Sequence, residues 1–314
     1  MKRVIIDTDP GVDDALALML AFGSPELRVE ALTAVVGNVS LRLTVQNSLK
    51  MLEFLGVSGV PVAAGAVKPL IREASDASSI HGGTGMGEAL LPEPRTAPDS
   101  RAAAQLIVEK AEELRRELTI VAIGPLTNIA SAILARPQIV DKIAGLVIMG
   151  GAYNLTPYGH GNVNAVAEFN VWHDPEAAKI VFNSGIPIKA VGLDVTMDPA
   201  NRLSRELFET VDEFGTRRAK FVSDLCRDLV RRRGSISLHD PLTVAATVDP
   251  SIVDTGRFKV DVETAGELTR GMTLVDRRHS RPVTGSEANV EVCISVDSGR
   301  FLEMFMERVV KGVR

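Results

Sequence analysis

The chain has 314 residues, 45% hydrophobic and 24% charged, the balance of a soluble globular protein long enough for a sizeable core. A formal net charge of −5 argues against nucleic acid or an anionic membrane as the main partner. Cys226 and Cys293 stand alone and far apart, which excludes a disulfide framework. The opening MKRVIIDTD reads as a strand and not as a signal peptide, so a cytoplasmic protein is expected.

In chain order, RVIIDT (3–8) reads as a short apolar strand ending in acidic residues. VDDALALMLAFG (12–23) follows with apolar positions at helical spacing and a terminal glycine. VEALTAVVGN (29–38) is a β-branched strand, LRLTVQNSLKMLEFLG (41–56) an amphipathic helix closed by Gly56, and GVPVAAG (59–65) a short strand. Between about Lys68 and Asp99 runs an irregular stretch containing HGGTGMGEALLPEP, whose glycines would let it move. Helices at 102–114, 126–135 and 175–185 then alternate with strands at 118–124, 143–151 and 187–194. The chain turns mostly helical from 200 to about 248. GRFKVDVE, GMTLVD and NVEVCISVD return to strand before a last helix. Apolar strands separated by helices predict an α/β fold with an open, mostly parallel sheet flanked by helices, a single domain over 1–314.

The chemistry gathers in IIDTDPGVDDA (5–15), where Asp7, Asp9, Asp13 and Asp14 share one turn. Two unit charges about 4 Å apart repel by roughly 4 kcal/mol near a protein surface, so the turn needs a cation, basic partners, solvent or retained protons. In open parallel sheets ligands bind beyond the carboxyl ends of the strands. Asp7 and Asp9 end the first strand, Asn38 ends the second, and GPLTN (124–128) and MGGAYN (149–154) follow later ones. No Cys or His is near the cluster in sequence, so a hard cation such as Ca²⁺ or Mg²⁺ fits better than a soft one. An EF-hand is excluded by Leu18 at its twelfth position. The plainer reading leaves Asp13 and Asp14 favouring a helix N-terminus and Asp7 capping a turn. Two further readings are a haloacid-dehalogenase-like, Mg²⁺-dependent phosphohydrolase using Asp7 and Asp9, and a non-catalytic Ca²⁺-containing binding protein.

Taken together, DTDPGVDDA, VVGN, HGGTGMG, GPLTNIA, GNVNAVAEFN and HDPL resemble the nucleoside hydrolase family of the inosine–uridine type, in the same order and over nearly the whole chain. The resemblance implies a ribonucleoside substrate cleaved to ribose and free base, and a Ca²⁺ held by Asp9, Asp14, Asp240 and the Ile123 carbonyl. It implies Asp9 as general base and Asp7 as outer support. Asp13, Asn38, Asn162, Glu168 and Asn170 become substrate ligands. His239 becomes the acid for the leaving base, with His81 lining the pocket as a weaker candidate. It also implies a homodimer or homotetramer. Arg227 and Arg231 are the expected base-side residues. Phe169 and Trp172 are expected in packing, Cys226 and Cys293 as inert, and RRRG (231–234) as a solvated helix end.

Overall fold

In the computed structural model, which describes residues 1–278 and 287–313, β1 (Lys2–Thr8) lies inside a nine-stranded sheet. Parallel to it, β2 (Leu27–Ala34) and β3 (Val62–Ala64) extend the sheet on one side. On the other, β4 (Leu118–Ala122), β5 (Ile143–Met149) and β6 (Ile188–Val191) continue it, also parallel. A separate antiparallel pair joins β7 (Arg202–Ser204) to β8 (Ser235–Ser237). Past β6 come β11 (Val290–Val296), then β9 (Val253–Val262) and β10 (Thr273–Asp276). β11 is parallel to β6, and the last two pairings are antiparallel.

The central strands are buried on both faces. Val4 and Ile6 of β1 pack into one apolar cluster with Leu16, Leu20 and Val121, whereas Ile5 packs into another with Ala31, Ile120 and Ile129. Helices cover each face because adjacent parallel strands need a crossover. Helix Val12–Phe22 is buried almost all round and packs on helix His239–Val248, equally apolar, so two interior helices meet above β1.

After β1 the chain runs outward through β2 and β3, then returns to lay β4 on the opposite side of β1. That reversal opens a crevice at the carboxyl ends of β1 and β4, the place where such sheets bind ligands. The acidic turn and Ile123 therefore lie at one end of one crevice.

The irregular 68–99 segment is tied down at several points. Leu70 N donates to Asp174 Oδ2 at 2.8 Å, His173 Nε2 lies 2.9 Å from Ser75 O, and Ala77 N donates to Asn38 O at 3.0 Å. A short helix, Ser78–His81, forms inside it, so its glycines serve tight turns more than free motion. Among the described residues no helix is long and apolar enough to cross a membrane.

Candidate active site

Asp14 sits in the first turn of helix Val12–Phe22 and organises the acidic turn. Oδ1 accepts from Thr8 Oγ1 at 2.6 Å and Asp9 N at 3.1 Å. Oδ2 accepts from Gly11 N at 3.0 Å and Asn38 Nδ2 at 2.9 Å. The helix-start reading of Asp14 is thus correct as far as it goes. Asp9 Oδ2 accepts from Asn38 N at 2.7 Å, while Asp9 Oδ1 is buried with no hydrogen-bond partner among the described residues. Gly37 and Gly124 press against this carboxylate: a Cβ on Gly124 would stand 2.6 Å from Asp9 Oδ1, and one on Gly37 would overlap Oδ2.

Asp240 enters from the first turn of helix His239–Val248. Oxygens of Asp13, Asp14 and Asp240 lie within 4.8 Å of one another. None of Asp7, Asp9, Asp13, Asp14 or Asp240 is ion-paired to a lysine or arginine among the described residues. The one basic neighbour is His81, whose Nδ1 is 3.9 Å from Asp13 Oδ1. Burial pushes Asp13 up to about 7, with Asp14 adding to it. Asp14 rises through burial too, and Asp9 and Asp240 rise well above the usual carboxylate range through burial and their acidic neighbours. Carboxylates kept together at that cost, with an all-oxygen donor set and an orphaned Asp9 oxygen, fit a hard divalent cation. The acidic cluster is able to hold a metal.

Asp7 is different. Its Oδ1 accepts from Thr33 Oγ1 at 2.5 Å and Asn128 Nδ2 at 2.8 Å, it is fully buried, and burial raises it to about 7. Asp7, Asp9 and Asp14 are all absent from the residues that line the cavity, and Asp7 Oδ2, like Asp9 Oδ1, is buried without a hydrogen-bond partner among the described residues. A phosphohydrolase with Asp7 as nucleophile would need that buried carboxylate to reach the cavity.

The cluster opens into a cavity of about 320 Å³. Asn38 and Ile123 line it from beyond the strand ends, and Asp13 and Asp240 from the first turns of their helices. Asn162, Glu168, Phe169 and Asn170 line it from the loop after β5, and His81, Arg202, Arg233 and His239 from the remaining side. Glu168 caps helix Phe169–His173: Oε1 accepts from Asn170 N at 2.8 Å, and Oε2 from Gly151 N at 2.9 Å and Val171 N at 3.1 Å. Burial raises Glu168, and these three amides hold it back. Asn170 Nδ2 donates to Ile123 O at 3.0 Å and Met149 O at 3.2 Å. Asn162 is exposed at the cavity.

Both histidines are neutral at pH 7. His81 Nδ1 accepts from Val12 N at 3.1 Å, and burial takes the ring down to about 4. His239 Nδ1 lies 2.7 Å from Thr196 Oγ1. Burial first, then the charges of Arg202, His81 and Arg233, lower it to about 4, away from the ordinary value near 6.5.

Three expectations change. Arg227 and Arg231 turn away from the cavity: Arg227 Nη2 donates to Ser223 Oγ at 2.7 Å, and Arg231 Nη2 to Asp228 Oδ1 at 2.7 Å. Leu229 and Arg233, four residues apart on helix Arg217–Arg233, line it instead, so the RRRG end is only partly solvent-facing. Phe169 lines the cavity and does not serve packing alone, whereas Trp172 stacks beneath Arg270, whose Cζ is 4.1 Å from the ring centroid. Arg202 escaped sequence reasoning because its strand is three residues long; the buried Leu225–Leu229 stripe would have located Arg233.

Residues 4–303 match the family model for inosine-uridine preferring nucleoside hydrolase. The chain is 41% identical over 307 residues to the inosine-uridine preferring nucleoside hydrolase of Leishmania major, covering 96% of this chain and 95% of that one. It is also 41% identical over 311 residues to the pyrimidine-specific ribonucleoside hydrolase RihA of Salmonella gallinarum, covering 98% and 97%. Among solved structures, the purine-preferring ribonucleoside hydrolase from Gardnerella vaginalis superposes with a TM-score of 0.89 at 34% identity, over 99% of this chain and 98% of that one. Fold, motif order and this likeness agree: the chain belongs to the inosine-uridine preferring nucleoside hydrolase family, hydrolases of the N-glycosyl bond.

Proposed function

We propose that the protein is a Ca²⁺-dependent ribonucleoside hydrolase that converts a ribonucleoside and water to ribose and free base. The observation that carries the metal assignment is the buried Asp13, Asp14 and Asp240 cluster, with the unpartnered Asp9 oxygen beside it and no lysine or arginine paired to it among the described residues. Asp9, Asp14, Asp240 and the Ile123 carbonyl are the proposed ligands. A bound Ca²⁺ would supply positive charge that orients the ribose hydroxyls and makes water more acidic.

Asp9 takes the proton of the attacking water on its free oxygen, as general base. Breaking the bond to the base leaves positive charge on the ribosyl ring, which the Asp13 and Glu168 carboxylates stabilise. Asn38, Asn162, Glu168 and Asn170 bind the ribose hydroxyls. Asn38 and Asn170 also position Asp14 and the Ile123 carbonyl, because their amides are already committed there. His239 delivers a proton to the leaving base, and His81 is the second candidate. The ring, neutral in the free pocket, takes up a proton from solvent as negative charge grows on the base and passes one on to it, ending neutral again. The protein acts in the cytoplasm, as one unit over 1–314 and as a homodimer or homotetramer.

A panel of ribonucleosides and ribonucleotides, assayed for reducing sugar and for phosphate alongside elemental analysis, tests this reading. Sugar release with about one Ca²⁺ per chain supports it. Phosphate release, or binding without turnover, overturns it.

A further inference from the structure

We propose that the groove at the amino end of the sheet is a second binding site, one that takes a small phosphate-type dianion, free phosphate or a phosphate monoester. It stands independently of the ribonucleoside reading, because its residues lie at the opposite end of the strands from the acidic cluster.

The groove holds about 290 Å³. Lys2 of β1, Thr119 of β4, Lys189 of β6 and Glu291 of β11 line it, each first or second in its strand, and Arg257 of antiparallel β9 joins them. The register sets Lys189 opposite Glu291 and Glu291 opposite Arg257. The lysine and the arginine therefore flank the carboxylate on one face, two strand spacings or about 10 Å apart, within reach of two long side chains. The end of helix His239–Val248 walls the groove, and there Lys2 Nζ donates to Thr247 O at 2.6 Å. That contact covers the negative end of the helix with a cation and leaves two ammonium N–H groups for a ligand.

Three cations meet one carboxylate in this groove, which leaves two positive charges unmatched. Among the described residues none of Lys2, Lys189 or Arg257 is ion-paired, in contrast to Lys50, Arg72 or Arg101, each bound to an acidic side chain. Burial first, and then the charge of Lys189, bring the Lys2 ammonium below its ordinary range. Asp249 pulls the other way but is itself bound to Arg300 at 2.6 Å. Lys2, Arg257 and Glu291 are exposed and Lys189 is half-buried, so the attraction comes from like charges focused in a concave surface, and salt screens it. The charge selects the ligand. A monocarboxylate leaves one cation unmatched. A phosphate group carries roughly −1.5 to −2 at pH 7, which balances the groove, and it offers three or more oxygens to the ammonium groups, the guanidinium and the Thr119 hydroxyl.

The test is calorimetric titration of the full chain with inorganic phosphate and with glycerol phosphate, at low salt and again at about 0.15 M. Uridine turnover and melting temperature are measured on each variant. The wild type should bind both probes saturably, and more weakly at the higher salt. Lys189→Gln and Arg257→Gln should each bind about 2- to 10-fold more weakly, and Glu291→Gln, which removes the opposing charge, more tightly by a similar factor. None of the three lines the main cavity, so uridine turnover should be unchanged in all of them. Tighter binding of glycerol phosphate identifies the ligand as an ester whose alcohol fills the rest of the groove; tighter binding of phosphate identifies the free ion. A fold defect confined to one variant leaves the other two to decide. No saturable binding by the wild type overturns the proposal. Equal affinity in the wild type and all three variants overturns it too, and places the phosphate in the main cavity. Weaker binding in Glu291→Gln overturns it as well, because the carboxylate would then be holding the groove together and not opposing the ligand.

Discussion

The side-chain amide of Asn170 donates to the carbonyl of Ile123 at 3.0 Å, linking the loop after β5 to the first residue beyond β4. One lone pair of that carbonyl is thereby engaged while the other stays available. Asn170 thus aims a proposed metal ligand as well as lining the pocket. Partners that orient a ligand typically set metal affinity or activity by about 10- to 100-fold. Asn170→Ala should therefore weaken Ca²⁺ retention by roughly that factor in a chelator competition. Unchanged retention would confine Asn170 to the substrate.

Asp14→Ala removes a proposed ligand and also the acceptor of four donors from Thr8, Asp9, Gly11 and Asn38. Metal and activity should disappear together, a deeper loss than in Asn170→Ala. Elemental analysis beside a uridine assay checks it. Full activity in a metal-free Asp14→Ala sample would remove the metal from the mechanism.

Much of this arrangement is legible in the sequence. The apolar runs of β1, β2, β4 and β5 mark a parallel sheet because both faces are buried, and that topology places the residues after each strand at one end. Thus Asp9, Asn38 and Ile123 could be brought together without coordinates. The opposite side of the cavity was not legible. β7 and β8 are three residues each, too short for a periodic signal, and their antiparallel pairing sets Arg202 against Ser237, a long-range match that no local pattern announces. Arg227 looked right by proximity to HDP, but helical phase sends it to Ser223 and brings Arg233 inward.

The acidic cluster makes the metal-free fold sensitive to pH. Burial raises Asp7 and Asp13 from 3.8 to about 7, and Asp9, Asp14 and Asp240 move the same way. A carboxyl raised on folding contributes its full stability below the unfolded value and loses it as pH rises through the folded one. Chelated protein should therefore lose stability from about pH 4 through pH 7; Asp7 alone accounts for roughly 4 kcal/mol, at 1.36 kcal/mol per unit. Added Ca²⁺ should flatten the dependence, because a cation favours the ionised forms. Melting temperatures from pH 5 to 8, with chelator and with Ca²⁺, read this directly. Two parallel curves would contradict it.

Asp9→Asn preserves shape while removing the base. General-base catalysis contributes typically about 10²–10⁴-fold, so turnover should fall by at least that order while the fold persists. Bound Ca²⁺ must be measured on the same sample, because Asp9 is also a proposed ligand. Near-normal turnover with metal retained would refute the general-base assignment.

His239 directly precedes Asp240, so its backbone is anchored at the carboxylate cluster, and its Nδ1 is 2.7 Å from the Thr196 hydroxyl. With that hydroxyl donating to Nδ1, the proton of the neutral ring resides on Nε2. The ring is held near 4, so it does not wait in the free enzyme as an imidazolium. Its contribution must scale with how much proton the leaving base demands. His239→Ala should slow uridine and inosine by about 10²–10⁴-fold, the usual span of acid catalysis, and p-nitrophenyl riboside by only a few fold, because nitrophenolate leaves without a proton. Equal losses on both kinds of substrate would show instead that the substitution displaced Asp240. Full activity on uridine would pass the role to His81, whose Nδ1 already accepts from Val12 N and whose remaining nitrogen carries the proton. A double substitution of His81 and His239 that kept full uridine turnover would exclude both rings as the acid.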